Sequence, residues 1–329
     1  MYKRQKLYIA KRTIYSFVLI LFVLTINFVI FELMPGNPMM LFANPSRLKD
    51  RSQVEEMERL WGFKDPLHVR YVRYMTNMLT GQFGISFISM DYIAKEVAER
   101  LLNTFLLVGV STILSIIIGI FLGALAAYKR GSFLDNLVVI SSLTTYSMPS
   151  FFMGMIFLLI FSFHLGWFPS VGTSSYSALN PPPNVFAYIV DRLWHLFLPV
   201  LTLTLFMYGG YLLLTRATVL ETLTEDYIIT ARAKGIKDRY ILFKHALKNA
   251  SLPLITNAAI SIGFIISGAI ITEQVFNYPG LGMWTWKAID FADYPVLQCI
   301  FYLIAVSVII ANFIADLLYG VMDPRIRYE

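Results

Sequence analysis

Charged residues are scarce in this sequence. Asp, Glu, Lys and Arg make up 15% of its 329 residues, whereas 57% are hydrophobic, and the mean hydropathy is +0.62. A soluble domain is about a quarter charged. We therefore assign the chain to a lipid bilayer, where the length rules for soluble domains do not apply.

Features that many enzymes need are also missing. The single cysteine, Cys299, excludes an intrachain disulfide, and its apolar surroundings indicate a small buried side chain. The sequence contains neither a G-x-x-x-x-G-K-[ST] phosphate loop nor a G-x-S-x-G nucleophile motif. The four histidines are scattered without metal-ligand spacing. We therefore expect no catalytic residue, no metal site and no cofactor.

Long apolar runs are what the sequence has instead. A helix crosses a hydrocarbon core with about 20 residues, and six runs qualify, at residues 14–34, 104–128, 137–163, 196–214, 254–271 and 300–319. The first run is too long for a signal peptide and no small-residue cleavage site follows it, so we interpret it as a retained helix. No run carries the central carboxylates of a proton- or sodium-driven carrier, which argues against a secondary transporter.

The distribution of lysine and arginine predicts the orientation, because cytoplasmic segments near spans carry the excess. Basic residues are concentrated in both tails, after the second run and around the fourth-to-fifth connection, whereas the two shorter loops on the other side hold only Arg192 and Lys287. Both termini are therefore expected in the cytoplasm. The net charge of +6 reflects this topology, and nothing indicates nucleic-acid binding.

The predicted organisation follows from these spans. It comprises a cytoplasmic tail, a first transmembrane helix, an extracytoplasmic loop region, a core of five helices and a second cytoplasmic tail. Their bounds are 1–13, 14–34, 35–103, 104–320 and 321–329, and the core includes a cytoplasmic loop at 217–252. Arg216 and Asp316 should both lie near the cytoplasmic face, where they could pair.

The cytoplasmic loop between spans four and five has the signals of a helical hairpin. Thr224 is predicted as the N-cap of its first helix. Ile228, Ala231 and Gly235 recur on one face, and Gly235 suits the residue that ends a helix. A solvated loop is the simpler interpretation, but small residues at helical spacing permit close approach to another surface.

The segment "EDYIITARAKGIKDRYILFKHALKNASLPLIT" resembles the cytoplasmic loop of ABC importer permeases of the oligopeptide/dipeptide type, the first of their two permease subunits. Further segments follow in the family's order, among them "MPGNPMM", "GQFGISF", "MPSFFMG", "VFNYPGLG" and "DLLYGVMDPRIR". Ala231 and Gly235 match the second alanine and the glycine of the family's loop motif. Ile229 and Thr230 depart from the general motif, which has glutamate and alanine at these positions.

This resemblance implies an all-α integral membrane protein with six transmembrane helices and the type I ABC importer permease fold. It also implies a cytoplasmic coupling helix that docks in a groove of an ATPase. The implied ATPase-coupling residues are Asp226, Tyr227, Thr230, Ala231, Ala233, Lys234 and Gly235.

The function implied by the resemblance is uptake of oligopeptides or dipeptides delivered by an extracytoplasmic solute-binding protein. A second homologous permease and two ATP-binding subunits would complete the transporter in the cell membrane of a prokaryote, and the chain itself would not be an enzyme. Import of oligosaccharides by the same machinery is an alternative. A channel or receptor-like membrane protein is the rival from another class, against which the coupling loop and the missing ligand domain count.

Small residues recur at every fourth position in two spans. Gly119 and Gly123 lie in the second span, and Ala259, Gly263 and Ser267 in the fifth. Such faces let helices approach closely in lipid. Contact within the subunit and contact with the partner permease both remain open. Span five is the better candidate for a pore interface because it follows the coupling loop.

The orientation can be tested with reporter fusions. A reporter fused after Glu329 should give a cytoplasmic signal, and one inserted near Ser175 should give an external signal, because the basic residues place these points on opposite sides. A cytoplasmic signal at Ser175 would contradict the topology of six spans.

Overall fold

The structure, a computed structural model, describes residues 2–33, 65–177 and 179–322. Within these ranges it is almost entirely helical, apart from an isolated antiparallel bridge between Ile85 and Tyr92. The "MPGNPMM" segment, most of the first half of the predicted outer loop and the C-terminal tail from residue 323 lie outside the described residues.

The α-helices are numbered here in chain order. They are α1 (Tyr2–Leu33), α2 (Leu67–Thr80), α3 (Ile93–Thr104), α4 (Val110–Tyr128), α5 (Phe133–Ser147), α6 (Ser150–Phe157), α7 (Val185–Thr222), α8 (Asp226–Ala233), α9 (Asp238–Tyr240), α10 (Leu247–Gly263), α11 (Ile270–Val275), α12 (Leu281–Asp290) and α13 (Tyr294–Met322). π-Helical turns at Phe105–Gly109, Leu158–His164 and Ile241–Ala246 follow α3, α6 and α9.

Helices long and apolar enough to cross a membrane account for most of the described chain. Five qualify individually, at Ile9–Leu33, Ile93–Tyr128, Val185–Thr222, Asp238–Ser267 and Tyr294–Asp316. A sixth crossing results if α5 and the helix that begins with α6 are taken together. The predicted all-helical membrane fold is therefore confirmed.

The third predicted span, 137–163, is not one straight helix. The helices Phe133–Ser147 and Ser150–His164 meet at an angle of 100°. The break falls at Met148 and Pro149, whose backbones are extended, with ψ of 131° and 133°. Proline disfavours helical backbone in the residue before it and has no N–H to donate. The apolar run continues through the break, so hydropathy alone predicted a single span.

Residues 105–265 and 271–279 form one compact unit. Its central contact is between α4 and α7, where glycines let the two backbones approach closely. A Cβ atom added to Gly119 would lie 2.8 Å from the carbonyl oxygen of Tyr208, and one added to Gly123 would lie 2.5 Å from that of Leu212. Both glycines of the predicted small-residue face in span two therefore pack within the same chain.

The small residues of span five are less uniform. Ala259 and Gly263 in α10 are buried, whereas Ser267 is half-buried. In the same helix, Ser261 accepts a hydrogen bond from the hydroxyl of Tyr211 in α7 at 2.6 Å. This polar contact contributes to the packing of α10 beside α7.

The described residues among 1–104, 266–270 and 280–329 form the other compact unit. Here the buried amide of Asn27 in α1 donates to the hydroxyl of Tyr74 at 2.8 Å and to the carbonyl oxygen of Gln298 at 3.1 Å. These bonds satisfy a polar group that would be costly to bury unpaired. Cys299 is fully buried in the apolar cluster of this unit, as predicted.

The tight contact between α4 and α7 predicts different effects of alanine at two glycines. Gly123→Ala should destabilise the protein by roughly 1–3 kcal/mol through overpacking, because its Cβ would meet backbone atoms of α7. Gly210→Ala is the matched control, since the nearest atom to its Cβ, on Tyr146, is 3.8 Å away. Thermal denaturation of the detergent-purified protein should show a lower midpoint only for Gly123→Ala, and equal midpoints would contradict the packing.

Candidate functional site

The cytoplasmic loop predicted from the sequence contains a short helix, α8. Glu225 precedes it as the N-cap, so the prediction of Thr224 is wrong by one residue. The Thr224 hydroxyl instead donates to the carbonyl oxygen of Glu221 at 2.7 Å. Asp226 lies in the first turn of α8, where a negative charge interacts favourably with the helix dipole.

Gly235, the residue after the C-cap Lys234, ends α8 with a left-handed turn, as predicted. Its φ of +74° lies in the left-handed region, where a side chain is strained. The Gly235 N–H donates to the carbonyl oxygen of Arg232 at 2.9 Å, and the Ile236 N–H donates to that of Ala231 at 3.3 Å. Nothing lies within 4 Å of where a Cβ on Gly235 would be, so its requirement for glycine is conformational rather than steric.

The inner face of α8 packs on the protein itself. Ile228 is fully buried and Ala231 is 8% exposed, and both belong to one apolar cluster. The other buried members come from the ends of α4 and α7 and from the helical segment after Gly235: Ala127, Val219, Ile241, Leu242, Ala246 and Ala250. Ala231, which we expected to contact an ATPase, therefore lies on the side of α8 that faces its own chain.

The outer face of α8 and its C-terminal turn carry the remaining predicted coupling residues. Those exposed are Asp226, Tyr227, Thr230, Ala233, Lys234 and Gly235. Ile229, absent from the predicted site, is 57% exposed on the same side. Because helical neighbours lie about 100° apart, the adjacent Ile228 and Ile229 face different surroundings, one buried and one exposed. In the sequence, Ile229 stands out only as a departure from the family motif, and its exposure becomes evident in the structure.

An ion pair near this cluster also escaped the sequence analysis. Arg216 in α7 donates from Nε to Asp135 Oδ1 at 2.7 Å and from Nη2 to Asp135 Oδ2 at 2.9 Å. The predicted pairing of Arg216 with Asp316 is wrong, since Asp316 forms its ion pair with Arg12. The pattern Ser132-x-x-Asp135, which resembles a capping box, could have placed Asp135 at a helix start, but nothing in the sequence indicates its partner.

The described residues contain no group of three His, Cys, Asp or Glu side chains arranged to hold a metal ion. α8 itself is anchored by the apolar cluster on one side and exposed on the other.

Comparison with known proteins assigns the chain to a family. Residues 119–328 match the family described as "Binding-protein-dependent transport system inner membrane component", and residues 6–108 match the model for the N-terminal part of such membrane components. The chain belongs to this family. This inner membrane component is thus a multi-pass membrane protein, and the resemblance to ABC importer permeases of the peptide type is confirmed.

Two curated relatives match this membrane component over nearly its whole length. The oligopeptide transport system permease protein AppB of Bacillus subtilis is 39% identical over 98% of this chain and 99% of its own. The glutathione transport system permease protein GsiC of Escherichia coli K12 is 33% identical with the same coverage. Both relatives are named as transport system permease proteins.

A solved structure supports the fold of this membrane component. The inward-facing methionine ABC transporter MetNI contains a chain that aligns with a TM-score of 0.53 and 18% identity. The alignment covers 69% of the present chain and 96% of the MetNI chain. The fold is therefore that of a type I ABC importer permease.

The two faces of α8 predict opposite results for two adjacent isoleucines. Ile228→Ala should destabilise the loop by roughly 2–5 kcal/mol, because it leaves a cavity in the buried cluster, whereas Ile229→Ala removes an exposed side chain. Trypsin cleavage of the purified protein within 217–252, followed by mass spectrometry, should be faster only for Ile228→Ala. Equal protection of both variants would contradict the burial of Ile228.

Proposed function

We propose that the chain is the transmembrane permease subunit of an ATP-driven importer that takes up peptides delivered by an extracytoplasmic solute-binding protein. The supporting observation is similarity over nearly the full length to relatives named for oligopeptide and glutathione transport. Both names refer to peptides, which favours peptides over the oligosaccharides considered from the sequence.

The sequence favours ATP hydrolysis by partner subunits, because it contains no phosphate-binding loop. In the proposed assembly, two ATP-binding subunits lie on the cytoplasmic side and a second homologous permease completes the pathway. Both termini face the cytoplasm, consistent with the excess of lysine and arginine on that side. The domain bounds given above then describe one membrane core with a single cytoplasmic coupling loop, at 217–252.

The contact that couples ATP hydrolysis to transport is proposed to be the outer face of α8. Its exposed side chains combine apolar and polar groups, with Ile229 and Ala233 beside Tyr227 and Lys234. A surface of this kind suits burial in a groove, where apolar contacts supply the affinity and polar groups fix the orientation. Ile228 and Ala231 on the inner face of α8 belong to the same apolar cluster as Val219 of α7. This cluster is the proposed route by which a displacement of α8 would reach a membrane-spanning helix.

Charge placed on the outer face of α8 should disrupt this docking without affecting the fold. Thr230→Glu and Ala233→Glu each introduce a carboxylate that would be buried unpaired in the groove, which is costly, but both positions are exposed in the chain itself. The two ATPases should be lost on co-purification, and uptake of a labelled peptide by intact cells should be abolished, at an unchanged membrane level of the permease.

The control is Lys237→Gln, an exposed position beyond the turn at Gly235, which should leave both readouts near wild type. Normal ATPase recovery and uptake in the two glutamate variants would show that α8 is only a solvated helix. Failure of the wild-type complex to accumulate any peptide, with its ATPases bound, would refute peptide import while leaving the docking intact.

A further inference from the structure

One partly buried ion pair joins helices far apart in sequence. Asp135, in the first turn of α5, is 2% exposed, and Arg216 lies 81 residues later in α7. The guanidinium donates to both carboxylate oxygens, at 2.7 and 2.9 Å. A planar fork of this kind fixes direction as well as distance between two helices, which a lysine could not do.

The carboxylate of Asp135 is held on its other side as well. The backbone N–H of Gly131, in the turn between α4 and α5, donates to Asp135 Oδ2 at 2.9 Å. The Asp135 N–H donates to the Ser132 hydroxyl at 3.2 Å, which caps α5. One side chain therefore joins the end of α4, the start of α5 and the cytoplasmic half of α7.

The position of the pair relates it to α8. Arg216 lies one turn before Val219, whose side chain is in the same apolar cluster as the inner face of α8. On the other side of the pair, α5 leads to the 100° bend that precedes α6. A second close contact keeps α5 beside α7, because a Cβ added to Gly209 would lie 2.8 Å from the carbonyl oxygen of Ser142.

We propose that Asp135 and Arg216 are positioning residues that make α5 move with α7 when α8 is displaced. The motion of the ATPases would then reach the bent helix pair through side chains on three helices, α8, α7 and α5. The apolar cluster, which includes Val219, links α8 to α7, and the ion pair links α7 to α5. This inference depends on the proposed function, since it concerns how the coupling helix acts. It assigns to the pair a role in coupling beyond holding the helices together.

A purely structural contact and a coupling contact differ in what their loss changes. If the pair only stabilises the fold, its loss lowers the amount of permease, and transport falls in proportion. If the pair transmits motion, its loss leaves the complex able to assemble and to hydrolyse ATP, but less peptide enters for each ATP hydrolysed. The decisive quantity is therefore peptide taken up per ATP hydrolysed, measured on the complete transporter with its binding protein in proteoliposomes.

The test is a double-mutant cycle with Asp135→Asn, Arg216→Gln and the double variant. Each single change should lower the ratio of uptake to hydrolysis by roughly tenfold, which is within the range of energetic coupling between distant sites. Because the two side chains act as one unit, the double variant should be no worse than either single variant. Arg216→Lys, which keeps the charge but loses the fork, should give an intermediate ratio.

The matched control is Glu221→Gln, a carboxylate-to-amide change at an exposed position near the end of α7, which should keep the wild-type ratio. A wild-type ratio in both single variants would overturn the proposal, as would a fall in uptake fully explained by a lower amount of assembled complex. Multiplied losses in the double variant would also overturn it. If the wild-type chain did not retain ATPases at all, the proposed function itself would fail, and the two failures are thus distinguishable.

Discussion

The close approach of α4 and α7 is the contact on which the larger unit of this protein depends. In lipid, apolar burial gives no net drive for helices to associate, so packing and hydrogen bonds must supply it. The glycines at 119 and 123 let one backbone lie directly on the other. Once α7 is fixed in this way, its C-terminal end has a defined position, and that end carries both Arg216 and Val219, a member of the cluster beneath α8.

The end of the unit near the C-terminus of α7 combines two kinds of interaction with different tolerances. The apolar cluster of α8 is non-directional, so it can adjust as side chains repack. The ion pair of Asp135 with Arg216 is directional and partly desolvated, and it loses its geometry if either helix rotates. An adjustable apolar contact therefore lies beside a contact with fixed geometry, and both involve the same end of α7.

The sequence predicted the membrane-spanning helices well because lipid imposes a simple rule: a spanning segment must be apolar and must satisfy its own backbone. The helix-ending role of Gly235 was predictable for a separate, steric reason, since left-handed backbone favours a residue without a Cβ. The resemblance to a permease loop located α8 but not its orientation. Ala231 was expected to face outward because small residues permit close approach, and its own chain uses that property.

What the sequence could not provide were relations between distant residues. Asp135 and Arg216 are each unremarkable in their local context, and only the packing of α5 against α7 brings them together. The bend at Met148 and Pro149 was concealed by the continuous apolar composition around it, because hydropathy measures the environment of a segment and not its direction.

The adjacent isoleucines of α8 have a consequence for how such a chain can diverge. Position 228 is constrained by the volume available among residues of its own chain, whereas position 229 is exposed and is not a member of that cluster. Substitutions at 228 should be compensated by changes inside the permease gene. Substitutions at 229 should be compensated in the gene of whatever protein covers it. Two adjacent positions would thus evolve under different constraints, position 228 with the fold of its own chain and position 229 with a partner's surface.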